Sequence, residues 1–255
     1  MKLHERPSVP ALLAFIAVFS WWAGECLSVK GQSPAGGRDQ TKFTDAPGKE
    51  TDAVEKLIDQ AKAALESDKS TTAVLTDPTF LSAHEWPRFR NLIRASAQSS
   101  RTTIVTPDEP GESLVVTGRV VDGDGRPVKQ AVTYFYQTSA KGWYSDRAAH
   151  ISAHEGDRKH ARLFGYLKTD AEGRFELRTI LPGGYPDSDL PAHIHIEIER
   201  TDKAAGNFTT EVQFDDDPRL TVAWRKRSQE EGFVIGKVKK DTNNRQQVEV
   251  ELKMR

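Results

Sequence analysis

Hydrophobic and polar positions alternate strictly over the eight residues from His193 to Arg200, which read His-Ile-His-Ile-Glu-Ile-Glu-Arg. A period of two predicts a half-buried β-strand. Ile194, Ile196 and Ile198 then enter a core, and His193, His195, Glu197 and Glu199 face the other way. Residues i and i+2 of a strand lie roughly 7 Å apart, so two imidazoles on one face can converge on a common point. Similar short runs fill the chain from Glu112 onward. Leu114–Asp122, Gln130–Thr138, Leu163–Thr169, Arg174–Thr179, Phe208–Phe214, Phe233–Lys237 and Val248–Leu252 read as strands. Turn chemistry separates them, as at Asp122-Gly123-Asp124-Gly125 and Asp170-Ala171-Glu172-Gly173. Many short strands punctuated by turns predict a β-sandwich over residues 106–255.

Upstream the period changes. From Asp52 to about Ser67, Val54, Leu57, Ile58, Ala61 and Leu65 fall on one helical face. A second helical stretch is expected from about Glu85 to Ala97, with Trp86, Phe89, Leu92 and Ile93 on its apolar side. The fold class is therefore mainly β, a sandwich with a short helical N-terminal region over residues 51–105. Residues 27–50 are rich in Gly, Ser, Pro, Lys and Asp and read as a flexible spacer.

Composition bounds the function. The chain has 255 residues, a net charge of −1 and 29% charged residues. That length suits one fair-sized domain plus extensions. A near-neutral balance gives no reason to expect nucleic acid or a membrane surface as partner. Lys2 and Arg6 precede an apolar run from Ala11 to Trp22, which resembles a secretory signal or an N-terminal anchor over residues 1–26. The run is short of the ~20 apolar residues of a spanning helix. Cys26 sits where a lipid-modified cysteine would, but Glu25 occupies a place that favours a small residue. A secreted, periplasmic or envelope-anchored protein is expected, attached to a membrane, if at all, through this segment. Cys26 is the one cysteine, so an internal disulfide or thiolate metal cluster is excluded. Any protein metal site must draw on His, Tyr, Asp or Glu.

The candidate chemistry lies in Leu181-Pro182-Gly183-Gly184-Tyr185-Pro186, followed by Ala192-His193-Ile194-His195. A tyrosine on a Pro/Gly turn is brought beside a His-x-His pair. Phenolate and imidazole ligands together suit a ferric ion. A second tyrosine stands at Gly142-Trp143-Tyr144. With Gly118-Arg119-Val120-Val121-Asp122, Gly125-Arg126-Pro127-Val128 and Thr169-Asp170-Ala171-Glu172-Gly173-Arg174-Phe175, these pieces occur in an order that resembles the intradiol ring-cleavage dioxygenases over about residues 108–220. The resemblance implies that Tyr144, Tyr185, His193 and His195 ligate a non-haem Fe(III). It implies a catechol-type substrate, O2 as co-substrate, and ring opening between the two hydroxyl-bearing carbons to a muconate-type dicarboxylate. It also implies that Tyr185 leaves the metal and takes a proton when substrate binds.

Two positions depart from the family pattern. An arginine is usual three residues before the first histidine, and here that residue is Leu190. A family Thr-Thr-Gln-x-x-Phe pattern reads Thr209-Thr210-Glu211-Val212-Gln213-Phe214, so Glu211 replaces a site glutamine and stands with Tyr185 as a candidate catalytic residue. A carboxylate beside a catecholate is repulsive unless protonated or paired. Turnover is therefore more open to alteration than metal binding. His150, His154 and His160 form another cluster, read as solvated or substrate-lining rather than metal-binding. Asp215-Asp216-Asp217 reads as a solvated turn. The helices before residue 100 either pack on their own sandwich or pair two chains into a homo-oligomer. The alternative to an enzyme is a non-catalytic prealbumin-like β-sandwich module of a secreted protein. It shares the turn chemistry but gives no reason for His-x-His. A zinc hydrolase using the same ligands is disfavoured by the two tyrosines.

Overall fold

The strand at His193–Glu199 separates two cores, one on each of its faces. Ile194, Ile196 and Ile198 are at most 1% exposed and lie in the larger core, where each contributes about 1.5–3 kcal/mol of burial. The computed structural model describes residues 52–145, 161–186, 188–201, 207–242 and 245–254. The expected signal and spacer, Cys26, and His150, His154 and His160 lie outside the described residues.

Among the described residues, ten strands form two mixed sheets. They are β1 (Arg101–Thr103), β2 (Ser113–Val121), β3 (Val132–Gln137), β4 (Leu163–Lys168), β5 (Arg174–Ile180), β6 (His193–Glu199), β7 (Phe208–Phe214), β8 (Val234–Gly236), β9 (Lys239–Lys240) and β10 (Gln246–Lys253). The first sheet runs β1-β5-β2-β10-β9 and the second β4-β3-β6-β7-β8. Val116, Val120, Phe175, Leu177, Val248 and Val250 of the first meet Phe135, Leu167, Val212 and Phe214 of the second, so the sheets pack as a sandwich. The turns between strands close as their sequence dictates. Asp122 Oδ1 accepts from the backbone N–H of Asp124 and Arg126, and Asp170 Oδ1 from that of Glu172 and Arg174.

The other face of the second sheet carries Tyr134, Tyr136 and Phe164, and helices cover it. These are α1 (Asp52–Glu66), α2 (Thr71–Leu75), a 3-10 helix (Pro78–Ala83) and α3 (Pro87–Ser96). Helix α1 buries Ile58 and Ala61 of its apolar stripe, and α3 buries Phe89 and Ile93. Proline opens α3, where its missing N–H costs nothing. The helical region thus packs on its own sandwich. Arg90 of α3 is buried with it. Its Nη1 donates to Tyr134 Oη at 2.8 Å, its Nη2 donates to Ala161 O, and its guanidinium lies 3.9 Å from the Phe164 ring centroid.

A further helix, α4 (Val222–Glu231), has no apolar stripe and buries only Ser228. Its ends hold it. Thr221 Oγ1 accepts from Trp224 N, and Gly232 closes the helix at φ +80°. Among the described residues, no helix is long and apolar enough to span a membrane.

Candidate metal centre

The helix-covered face of the second sheet places His193 and His195 side by side, 8% and 5% exposed. This differs from the half-buried strand predicted by alternation, because helices and loops roof the polar face as well. Two loops complete the site. One follows β3 and carries Tyr144; the other follows β5 and carries Tyr185. Gly142 sits at φ +78°, and a Cβ there would lie closer than 3.0 Å to Gly184 O, a contact that real side chains essentially never make. A Cβ on Gly183 would lie 2.6 Å from Gly142 N. The loops therefore touch backbone to backbone, which only glycine permits. Ser139 O accepts from both Gly142 N and Gly183 N at 2.9 Å, and Thr138 Oγ1 donates to Gly183 O at 2.7 Å.

The close approach brings four donor atoms together. Tyr144 Oη lies 2.6 Å from Tyr185 Oη and 2.8 Å from His195 Nε2. Tyr185 Oη lies 3.2 Å from His193 Nε2, and the two Nε2 atoms are 3.0 Å apart. All four residues singled out as metal ligands in the sequence meet at one point. Glu211 stands beside them rather than among them. It pairs opposite His195 across β6 and β7, with Oε1 3.4 Å from His195 Nδ1 and 4.0 Å from His193 Nε2. His193, His195 and Glu211 also offer ligand atoms within 4.8 Å of one another. Leu190 packs, partly buried, against the helix-side apolar cluster.

The donor set fits a cation. His193 Nδ1 lies 2.7 Å from Pro191 O, and a carbonyl only accepts, so Nδ1 carries the proton and Nε2 presents a lone pair. Ligands held at ~2.0–2.1 Å around one ion lie about 3 Å from one another. The separations found here are of that size.

Supporting residues that sequence reasoning missed hold the ligands in place. Arg162 N donates to Tyr144 O at 2.7 Å, and the Arg162 guanidinium grips Glu109 with two contacts of 2.5 and 2.8 Å. His84 Nδ1 donates to Arg162 O at 3.0 Å. Burial, with Arg90 and Arg162 nearby, pushes the His84 imidazole down to about 4, so it is neutral. Tyr136 stacks on His195 at 4.4 Å with 12° between the rings. The Asp215-Asp216-Asp217 run is not simply a solvated turn. Asp217 Oδ2 accepts from Ala192 N at 2.5 Å, fixing the residue before His193, and Asp215 Oδ1 accepts from Val238 N at 3.0 Å. A like-charge run looks solvated from sequence because the backbone N–H groups it caps are remote in the chain.

Comparisons with known proteins bear on the family of the chain. The family profile described as Dioxygenase matches residues 85–255. The protocatechuate 3,4-dioxygenase beta chain of Burkholderia cepacia is 36% identical over 121 residues, which are 43% of this chain and 48% of that one. Catechol 1,2-dioxygenase 1 of Acinetobacter lwoffii is 30% identical over 132 residues, 46% of this chain and 40% of that one. The matches thus span less than half the length of either relative. Among solved structures, catechol 1,2-dioxygenase from Acinetobacter sp. ADP1, inhibited by bound mercury, aligns with a TM-score of 0.48 at 21% identity, covering 62% of this chain and 57% of that one. The profile match covers most of the chain, and the relatives are named protocatechuate 3,4-dioxygenase and catechol 1,2-dioxygenase; the chain belongs to the intradiol ring-cleavage dioxygenase family.

Proposed function

We propose that Tyr144, Tyr185, His193 and His195 hold the non-haem ferric ion of this family, and that the protein uses O2 to open a catechol-type ring between its hydroxyl-bearing carbons. The convergence of two phenol oxygens and two imidazole nitrogens at 2.6–3.2 Å carries this reading. When bound, a ferric ion supplies Lewis acidity for the diol oxygens and the one-electron chemistry that lets a catecholate react with O2.

The chain's own residues do the rest. His193 is oriented by Pro191 O, and His195 by the Tyr136 ring. Tyr144 is anchored at its carbonyl by Arg162 and serves as the fixed phenolate. Tyr185 rides a loop whose next residue is the exposed Pro186, and it is the group that takes and holds the proton of an incoming diol at Oη. Leu190 offers an apolar surface where a cation is usual, which supports diols without a ring carboxylate over protocatechuate. The basic start and apolar run before Cys26 support export from the cytosol.

The test is the visible spectrum of protein reconstituted with iron. A tyrosinate-to-ferric charge-transfer band is expected, lost or shifted in Tyr144→Phe and Tyr185→Phe, and perturbed by added catechol. A colourless protein that retains no iron contradicts the reading and returns the chain to a binding module.

A further inference from the structure

Glu211 stands where the family pattern has a site glutamine, and its surroundings define a role for a carboxylate there. Strand pairing, not a chance rotamer, sets it opposite His195. Its Oε1 lies 3.4 Å from His195 Nδ1, on the side of the ring away from Tyr144. Its Oε2 lies 3.5 Å from Gln213 Nε2, and Gln213 Oε1 is fixed in turn by Ser228 Oγ of α4 at 2.7 Å. A line of polar contacts therefore runs from α4 through Gln213 and Glu211 to His195.

The proton positions follow from donor and acceptor roles. A carboxylate only accepts, so the His195 tautomer with hydrogen on Nδ1 is favoured, and the opposite tautomer would set a nitrogen lone pair against the negative charge. His193 is fixed the same way by Pro191 O. Both Nε2 lone pairs then face the four-atom cluster, and each tyrosine hydroxyl can donate to one of them. A carboxylate behind a ligating imidazole also makes it a stronger donor.

We propose that Glu211 is a positioning residue: it holds His195 as the Nδ1–H tautomer and, through its negative charge, favours the ferric over the ferrous ion at the Nε2 face. This role rests on the ferric site proposed above. The same oxygen lies 4.0 Å from His193 Nε2, and its pairing with His195 tempers the repulsion that a carboxylate would exert on an anionic substrate.

The test compares wild type with Glu211→Gln, which keeps an acceptor oxygen, and Glu211→Leu, which keeps none. In the metal-free protein, long-range 1H–15N correlation spectra of 15N-histidine-labelled protein report the tautomer directly. We expect His195 as Nδ1–H in wild type and Glu211→Gln, and a shift toward Nε2–H in Glu211→Leu. In the iron-loaded protein, competition with a chelator should show iron held about 10–100-fold more weakly in Glu211→Leu, and by a smaller factor in Glu211→Gln. The Fe(III)/Fe(II) potential should rise in both variants, and the charge-transfer band should move with it. Wild-type His195 found as Nε2–H overturns the role. An unchanged tautomer in Glu211→Leu overturns it too. Equal, near-complete iron loss in both variants with the tautomer unmoved would make Glu211 a direct ligand instead, which also overturns it. A wild-type protein that takes no iron yet shows the expected tautomers would sink the ferric reading alone, and the two failures are thereby separable.

Discussion

The joint between the two tyrosine loops can be tested by adding one methyl group. Gly142→Ala has two costs. The backbone sits at φ +78°, where an L side chain costs about 1–2 kcal/mol. The new Cβ also falls closer than 3.0 Å to Gly184 O, so the loops must part by on the order of 1 Å to restore an ordinary carbon–oxygen contact of ~3.3 Å. Such overpacking typically costs about 1–3 kcal/mol. The sum is about 2–5 kcal/mol. Gly125→Ala is the control. Gly125 has φ +80° but nothing within 4 Å of its Cβ position, so it carries the backbone cost alone. Urea unfolding of both variants separates the terms. The site should respond as well, because parting the loops opens the 2.6 Å Tyr144–Tyr185 approach. We expect Gly125→Ala to lose about 1–2 kcal/mol and keep the iron charge-transfer band. Gly142→Ala should lose more and forfeit the band. Equal stability losses, with the band intact in both, would refute the reasoning that glycine contact sets the phenol spacing.

Three other perturbations are expected to read out the supporting structure. The His84 pKa of about 4 in the folded chain lies below its ordinary 6.5, so the unfolded chain takes the proton first as pH falls. Stability from this group is complete above pH 6.5 and drains toward pH 4; wild type should lose roughly 2–3 kcal/mol more than His84→Phe between pH 7 and 4.5 in urea unfolding. Parallel losses would argue against a neutral buried imidazole. Glu109→Ala leaves the largely buried Arg162 without its carboxylate and should cost about 3 kcal/mol, with weaker iron retention through the Tyr144 backbone. Asp217→Ala strips Ala192 N of its acceptor and should cost about 1–3 kcal/mol by thermal or urea unfolding, and a neutral result would show that water replaces the carboxylate.

Eight of the ten strands among the described residues were legible from alternation and turn chemistry, most plainly β10 with its alternating burial; β1 and β9 were not, because three and two residues are too few to show a period. Ile194, Ile196 and Ile198 enter the sandwich core as their alternation requires. Helix α4 was not legible, since Val222 is exposed and only Ser228 is buried, leaving no stripe to detect. The meeting of Tyr144 and Tyr185 with the histidines could be anticipated from motif order. The means by which they meet could not. The loop contact depends on carbonyl positions across Gly142 and Gly184, which side-chain patterns do not encode. His84, Glu109 and Arg162 act across 53 to 78 residues of sequence, so no local signal marks them. Glu211 was visible as a departure from the family pattern. Its partner was hidden, because the register that sets it opposite His195 depends on how β6 and β7 pair.

The most direct test of the central claim is turnover of iron-loaded, full-length protein under 18O2 with catechol, hydroxyquinol and protocatechuate, followed by mass spectrometry of the products. We expect a ring-opened dicarboxylate from catechol or hydroxyquinol carrying both atoms of one O2. Protein with a full complement of iron that opens none of these rings, or whose product carries no 18O, would contradict intradiol cleavage by this site.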